Sequence, residues 1–313
     1  MRPAPRGIMQ TFNDWRSIPQ TARGASVALG NFDGVHLGHR AVIDLARPHG
    51  PLGIVTFTPH PREYFAPTAA PFRLMSDGAR AHQMARIGVQ HLFQLEFNAA
   101  LAALTPLDFA RDVLAHGLGA RHVTVGADFS FGKARAGRAP DLADLGAQLG
   151  FGVTIADMVA DQGTQVSSTA IRAALTAGNP RAAAQMLGHP HSFEGVVIHG
   201  HKRGRELGYP TANMDISGLH LPRFGVYAVR ASVLTGAHTG QYIGAASLGI
   251  RPMFGENQPN LETFIFDFSG DLYGADISVE LIEFLRDEAK FDGLPALMAQ
   301  MANDCARARA ILA

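Results

Sequence analysis

Residues 30–40 read GNFDGVHLGHR, and the fold is decided by what flanks them. An apolar run, ASVAL (25–29), leads in, and LGHRAVIDLAR (37–47) leads out with Leu37, Val42, Ile43, Leu45 and Ala46 roughly on one helical face. The stretch is therefore a strand turning into a helix. It carries His36 and His39 with Gly38 between them. A helix N-terminus presents unpaired N–H groups and a partial positive charge, so it holds anions. Gly30, Gly34 and Gly38 let backbone approach a ligand closely. Two imidazoles at i and i+3 can point at one anion and donate to its oxygens, stabilising charge that builds up at a phosphorus under attack. Two turn histidines, one capping and one packed, fit the same letters. A zinc site does not, because no third ligand stands at useful spacing.

Outward from this turn the first half alternates. LGIVTF (52–57), HLFQLEF (91–97), HVTVG (122–126) and GVTIADMV (152–159) read as further strands. Helical patterns lie between them: TPLDFARDVLAHGL with Thr105 as N-cap and Pro106 at the first helical position, and DLADLGAQLG. Such βαβ units predict a parallel sheet with right-handed crossovers, whose ligands bind beyond the carboxyl ends of the strands. Two short helices follow (169–177 and 180–187), and then the period changes to two. SFEGVVIHG, GVYAVRASV, YIGAASLG, ETFIFDF and ISVELIEF predict an antiparallel sheet or small barrel. LPALMAQMANDCARARAIL predicts a closing helix, with Leu297, Met298, Met301 and Cys305 at helical spacing. The boundary falls near 186–192, giving domains 1–187 and 188–313.

Composition narrows the function. The 313 residues suffice for two domains, 47% are hydrophobic, and Lys+Arg equals Asp+Glu at 27 each. Zero net charge argues against a nucleic-acid partner. With only Lys133, Lys202 and Lys290 as lysines, the positive charge is nearly all arginine, suited to planar phosphate contacts. One cysteine, Cys305, excludes a disulfide framework. There is no signal-peptide pattern and no apolar stretch of membrane-spanning length. A cytoplasmic protein without a membrane partner is the expectation; a homo-oligomer is left open.

SSTAIR (167–172) opens another helix. Ser167, Ser168 and Thr169 can cap it, and Arg172 lies one turn in; taken alone, this is a helix cap. Beside HxGH it resembles the second signature of the nucleotidyltransferase superfamily. The order GNFDGVHLGH, FTPHP (57–61), VGADFSFGKARAG (125–137), SSTAIR resembles bacterial bifunctional riboflavin kinase/FAD synthetases. GRELGYPTANM (204–214), GVYAVR (225–230), LETFIFDFSGDLYG (261–274) and FLRDEAKFDGL (284–294) extend the likeness from about Val27 to the C-terminus.

The resemblance implies an α/β nucleotidyltransferase domain with a Rossmann-like parallel sheet, then an antiparallel β-barrel riboflavin-kinase-like domain with a C-terminal helix. It implies ATP and Mg²⁺, with riboflavin phosphorylated to FMN and FMN adenylylated to FAD. His36, His39 and Arg172 would be catalytic in the first domain, with Gly30, Asn31, Gly38, Ser168 and Thr169 at the phosphates. Phe57, His60, Asp128 and Phe129 would line the flavin side, although Phe57 also reads as core and Asp128 as a turn residue. In the second domain Thr211 and Asn213 would bind the metal and phosphates, Gly204 would sit in a flap over ATP, and Glu262 would be the base. Glu262 also reads as an outward-facing strand residue.

Two positions depart from the family. In ASLGIRPMF, Ser247 and Met253 stand where an Asn-Gly and an RPT are usual. The resemblance implies that this region is a loop near the flavin side that does not touch Thr211, Asn213 or Glu262. This departure supports a second reading, an FAD synthetase with weakened kinase. A catalytically silent flavin-binding module would lack His36, His39, Arg172 or Glu262, which are present; an aminoacyl-tRNA synthetase fragment is opposed by the neutral charge. His189, His191, His199 and His201 read as solvated loop histidines.

Overall fold

In a computed structural model the chain is described over residues 8–158, 160–161, 164–200, 207–253 and 256–313. Packing groups the described residues up to Ala70 with Arg80–Val166, and Pro71–Ala79 with Ser167–Ala313. The two short helices, Ser168–Thr176 and Pro180–Leu187, thus belong by packing with the later residues.

The first unit is built on six strands, β1 (Gln10–Phe12), β2 (Ser26–Leu29), β3 (Leu52–Thr58), β4 (His91–Glu96), β5 (His122–Gly126) and, after a small ribbon of β6 (Ser130–Phe131) and β7 (Gly137–Arg138), β8 (Gly152–Ala156). They pair in parallel in the order β1-β4-β3-β2-β5-β8. β1 is an edge strand too short to show a sequence period. The central strands read as unbroken apolar runs because helices cover both faces; every residue of β2 is buried. β2 has β3 on one side and β5 on the other, so strand order reverses at its carboxyl end. That switch point is where an open α/β sheet leaves its crevice, and GNFDGVHLGHR begins there.

A ribbon of β9 (Ala160–Asp161) and β10 (Thr164–Gln165) follows. The second unit's sheet is antiparallel, ordered β11-β16-β13-β14-β15-β12, with β11 His191–Val196, β12 Ala212–Asp215, β13 Gly225–Val233, β14 Gly240–Met253, β15 Glu256–Ile265 and β16 Asp276–Arg286. Ile198 bridges to Asn213, bringing the chain beyond β11 onto β12 and nearly closing a barrel. Its interior holds Phe193, Tyr227, Val229, Leu248, Leu261 and Ile277. Helix Leu294–Leu312 packs outside, where Ala228 and Ala245 are small enough for Ala308 and Leu312 to approach.

Two sequence expectations need correction here. Met298 is exposed, and the buried face of the helix is instead centred on Asp304, Ala308 and Leu312. Asp304 is drawn inward by Arg286, which donates to it through Nε (2.9 Å) and Nη2 (2.7 Å), while Gln300 Nε2 donates to it as well at 2.8 Å. His191 is not in a loop: it opens β11, is buried, and stands edge-on to Phe193. His199 is exposed and His201 lies outside the described residues.

Burial, with the nearby His189 and His220 adding to it, pushes the His191 pKa from 6.5 down to about 3. The unfolded chain takes up this proton near pH 6.5 and the folded chain does not. This share of stability is therefore complete above pH 6.5 and is lost as pH falls toward 3. At pH 5 the loss is about 2 kcal/mol. Denaturant midpoints at pH 7 and pH 5 should show that drop, and His191→Phe should remove this part of it.

Candidate active sites

The first site is the turn after β2. Phe32 (φ 53°) and Val35 (φ 44°) both adopt left-handed backbone, although neither is glycine. For a β-branched residue this is a strained conformation, held here because both side chains are buried in the fold. The turn delivers His36 to the N-cap of helix Leu37–Ala46, where its Nδ1 accepts the His39 N–H at 3.2 Å. In that bond His36 is neutral and carries its proton on Nε2. The His39 ring stacks on it at 3.5 Å and 16°, with Phe32 edge-on behind. Burial first, and the neighbouring His36 second, hold the His39 pKa well below the usual imidazole value. Two neutral, stacked imidazoles thus sit at a helix N-terminus on the switch point of the sheet.

Gly38 makes the stack possible. A Cβ there would lie 3.1 Å from His36 Cε1 and 3.2 Å from Nδ1. Below the turn, the Asn31 carbonyl accepts from Thr56 Oγ1 and from Arg80 Nη1, each at 3.2 Å. Arg80 is buried and also reaches Thr58 Oγ1 at 3.4 Å.

The second site lies on paired strands of the barrel. On β12 and β15, Ala212, Met214, Leu261 and Ile265 belong to the apolar interior; Asn213, Asn260 and Glu262 fall on the alternate positions. Asn213 stands opposite Glu262 in register. Asn260 Nδ2 donates to Asn213 Oδ1 (3.0 Å) and to Glu262 Oε1 (3.4 Å), and Asn213 Nδ2 donates to Thr211 O (3.2 Å) and Oγ1 (3.3 Å). Thr211 also lines a cavity of about 320 Å³ bounded by Val197, Pro210, Thr263 and residues 268–273.

Comparison with known proteins adds identity to this geometry. Residues 18–170 match the FAD synthetase family and residues 187–312 the riboflavin kinase family. A bifunctional riboflavin kinase/FMN adenylyltransferase of Pseudomonas fluorescens is 38% identical over 97% of this chain and 98% of its own. One from Listeria monocytogenes is 37% identical over 97% and 96%. The chain belongs to the bifunctional riboflavin kinase/FMN adenylyltransferase family. A solved Streptococcus pneumoniae structure described as a macrolide-efflux protein superposes with a TM-score of 0.81 at 30% identity, over 95% of this chain and 97% of that one. Among the described residues no helix is long and apolar enough to cross a membrane.

Against this family, the expected residues distribute as follows. Gly30, Asn31, His36, Gly38 and His39 come together in one turn. Phe57 is buried in the core, packed near Phe97 and Phe109. His60 caps the short helix Pro61–Phe65, its Nδ1 accepting from Arg62 N–H (3.0 Å) while Glu63 accepts from His60 N–H. Asp128 is an exposed turn residue: Phe129 N–H closes the turn on Gly126 O at 3.0 Å, and the Phe129 ring stacks on Phe131. In the second unit Ser167 caps helix Ser168–Thr176 through the Ala170 N–H, so Ser168 and Thr169 form its first turn. Arg172 Nε donates to Phe72 O at 2.5 Å, and its guanidinium lies over the Phe72 ring. Gly204 lies outside the described residues, as does the side chain of Met253.

The expected separation of Ser247 from the second site is corrected. β14 runs through this region, and Ser247 is the register partner of Glu262. The period-two run simply continues further than the glycine and proline suggest. Sequence reasoning also missed Arg80, Phe72 and Asn260, none of which stands in a recognisable motif.

The tight contact at Gly38 gives a stability test. Gly→Ala inside a helix ordinarily stabilises by about 1 kcal/mol. Here the added Cβ would press on the His36 ring, which is buried and stacked on His39, so Gly38→Ala should instead destabilise by about 1 kcal/mol through loss of the cap. Chemical denaturation measures the sign; a gain in stability would mean that the ring has room.

Proposed function

We propose that this chain makes FMN from riboflavin on its barrel and FAD from FMN at the HxGH turn, and that the residues divide the work as follows. Residues 1–187 carry adenylyl transfer and 188–313 the kinase; the two family matches, 18–170 and 187–312, support this division. In the first reaction sequence the riboflavin 5′-hydroxyl attacks the γ-phosphorus of ATP, the γ-phosphorus–oxygen bond to ADP breaks, and the hydroxyl proton goes to Glu262. In the second, an FMN phosphate oxygen attacks the α-phosphorus of ATP and pyrophosphate leaves.

For adenylyl transfer the supporting observation is the neutral imidazole stack at the helix N-terminus. His36 and His39 donate to phosphate oxygens as charge develops, while the first-turn N–H groups supply the positive end of the helix dipole. Gly30 and Asn31 shape the turn, and Gly38 keeps the rings stacked. Ser168, Thr169 and Arg172 hold the leaving pyrophosphate. His60, Asp128 and Phe129 line the flavin side, with Phe57 backing them from the core.

For the kinase the supporting observation is the bonded set Thr211–Asn213–Asn260–Glu262. Magnesium fits it: the donors are hard oxygens, they are few, and no cluster of three or more His, Cys, Asp or Glu competes among the described residues. Thr211 Oγ1 and Asn213 Oδ1 would hold the ion, which when bound neutralises phosphate charge. The cavity beside Thr211 accepts the nucleotide. The substrates are small molecules; zero net charge speaks against a nucleic-acid partner, and a lone cysteine fits the reducing cytoplasm.

A chromatographic time course with riboflavin, ATP and Mg²⁺ tests the whole reading, FMN appearing before FAD. His36→Ala should lower FAD formation by about 10²–10³ and leave FMN formation intact. FAD made at the normal rate by that variant would remove His36 from the reaction. Glu262→Gln should slow riboflavin phosphorylation by about 10²–10⁴ while added FMN still becomes FAD. Unimpaired phosphorylation would exclude Glu262 as the base.

A further inference from the structure

We propose that Asn260 is a positioning residue of the kinase site, the side chain that sets Asn213 and Glu262 relative to each other; this rests on the reading of those two residues given above. Asn260 is 2% exposed and stands two residues before Glu262 on the same face of β15. Its direct neighbours across the sheet are Asp215 on β12 and Gly249 on β14. It reaches Asn213 along the diagonal, where the two amides meet at 3.0 Å.

The hydrogen bonds fix which way the amide faces. Both of its partners, Asn213 Oδ1 and Glu262 Oε1, are acceptors and both bonds come from Nδ2. Turned over, Asn260 would press its own oxygen against two other oxygens. The chosen orientation leaves Asn260 Oδ1 buried without a hydrogen-bond partner among the described residues. Buried polar atoms are ordinarily paired, and the exceptions call for an explanation. A side chain kept for its volume alone would be apolar. This one tolerates a stranded oxygen in order to donate twice.

What it donates to is the site itself. Asn213 is held on its other side by its bonds to Thr211, and a Cβ on Gly200 would run into the Asn213 amide. Asn213 Oδ1 is therefore turned toward β15 and keeps a second lone pair. Asn260 is a side-chain link between Asn213 on β12 and Glu262 on β15, the proposed metal ligand and the proposed base. Without it, Asn213 Oδ1 and Glu262 Oε1 lose the donor they share, their relative placement is no longer set, and the nucleophile loses its alignment with the phosphate.

The test uses the full chain. Asn260→Ala and Asn260→Ser are compared with wild type and with Glu262→Gln in riboflavin phosphorylation at saturating ATP, with Mg²⁺ titrated. FAD formation from added FMN serves as the control for intact protein. The expected result is a fall in kcat of about tenfold or more, with KM for riboflavin within about twofold, a raised Mg²⁺ requirement and unchanged FAD formation. Serine, which keeps volume nearer to asparagine, serves if alanine does not fold. Wild-type kcat in the Asn260 variants, or a loss confined to KM, overturns the proposal. If this happens while Glu262→Gln is inactive, the inference alone fails. If Glu262→Gln phosphorylates riboflavin normally, the underlying reading of the base has failed instead.

Discussion

One ring nitrogen governs the first site. His36 Nδ1 is occupied by the His39 N–H, and a protonated Nδ1 would face that N–H donor to donor. The bond therefore places the lone pair of Nδ1 toward the helix. It also leaves the Nε2 proton as the one that His36 can offer. The stack with His39 adds a second barrier, since two charged rings 3.5 Å apart would repel strongly. The surrounding oddities of the backbone serve this arrangement. The left-handed Phe32 and Val35 turn the chain sharply enough to put an imidazole where serine or aspartate usually caps, and Gly38 leaves room for the ring to fold back.

The barrel separates stability from chemistry by a different device, the pleat of an antiparallel strand. Along β15, Leu261 and Ile265 face the interior while Asn260 and Glu262 take the other side. Along β12, Ala212 and Met214 are inside and Asn213 is not. A core substitution and a site substitution are thus one residue apart in sequence and on opposite faces in space. The same strict period explains why Ser247 stands opposite Glu262: once β14 and β15 pair, the residue beside that carboxylate is settled by counting.

Legibility followed locality. The strands around β2 to β5 were readable because parallel strands buried on both faces are plain apolar runs, and Thr105 and Ser167 were readable as caps because a cap and its helix are contiguous. HxGH was readable as a pair, although not the fact that His36 would accept rather than donate through Nδ1. Unreadable were features that depend on distant partners. Asp304 turns inward for Arg286, eighteen residues away, against the hydrophobic period of its helix. Arg80 is buried behind Asn31, forty-nine residues away. Asn260 matters because β12 lies alongside β15, which no local pattern announces. β1 and β12, with three and four residues, are too short to carry a period at all.

The two chemistries differ in what they ask of a protein, and the two sites differ to match. FMN brings its own nucleophile: a phosphate is already anionic at neutral pH, so adenylyl transfer needs donors and alignment but no base. In the role proposed for His36 and His39, neutral imidazoles answer that need better than cations would, because they donate without binding the ground-state triphosphate so tightly that the gain at the transition state is lost. Riboflavin brings a hydroxyl, which must surrender a proton as it attacks. A carboxylate is then required, and it must be held close to phosphate oxygens that repel it. That repulsion is the reason to expect Glu262, as the proposed base, to be anchored by donors rather than left to rotate, and Asn260, buried beside it with both bonds directed at oxygens, is a group in position to do so.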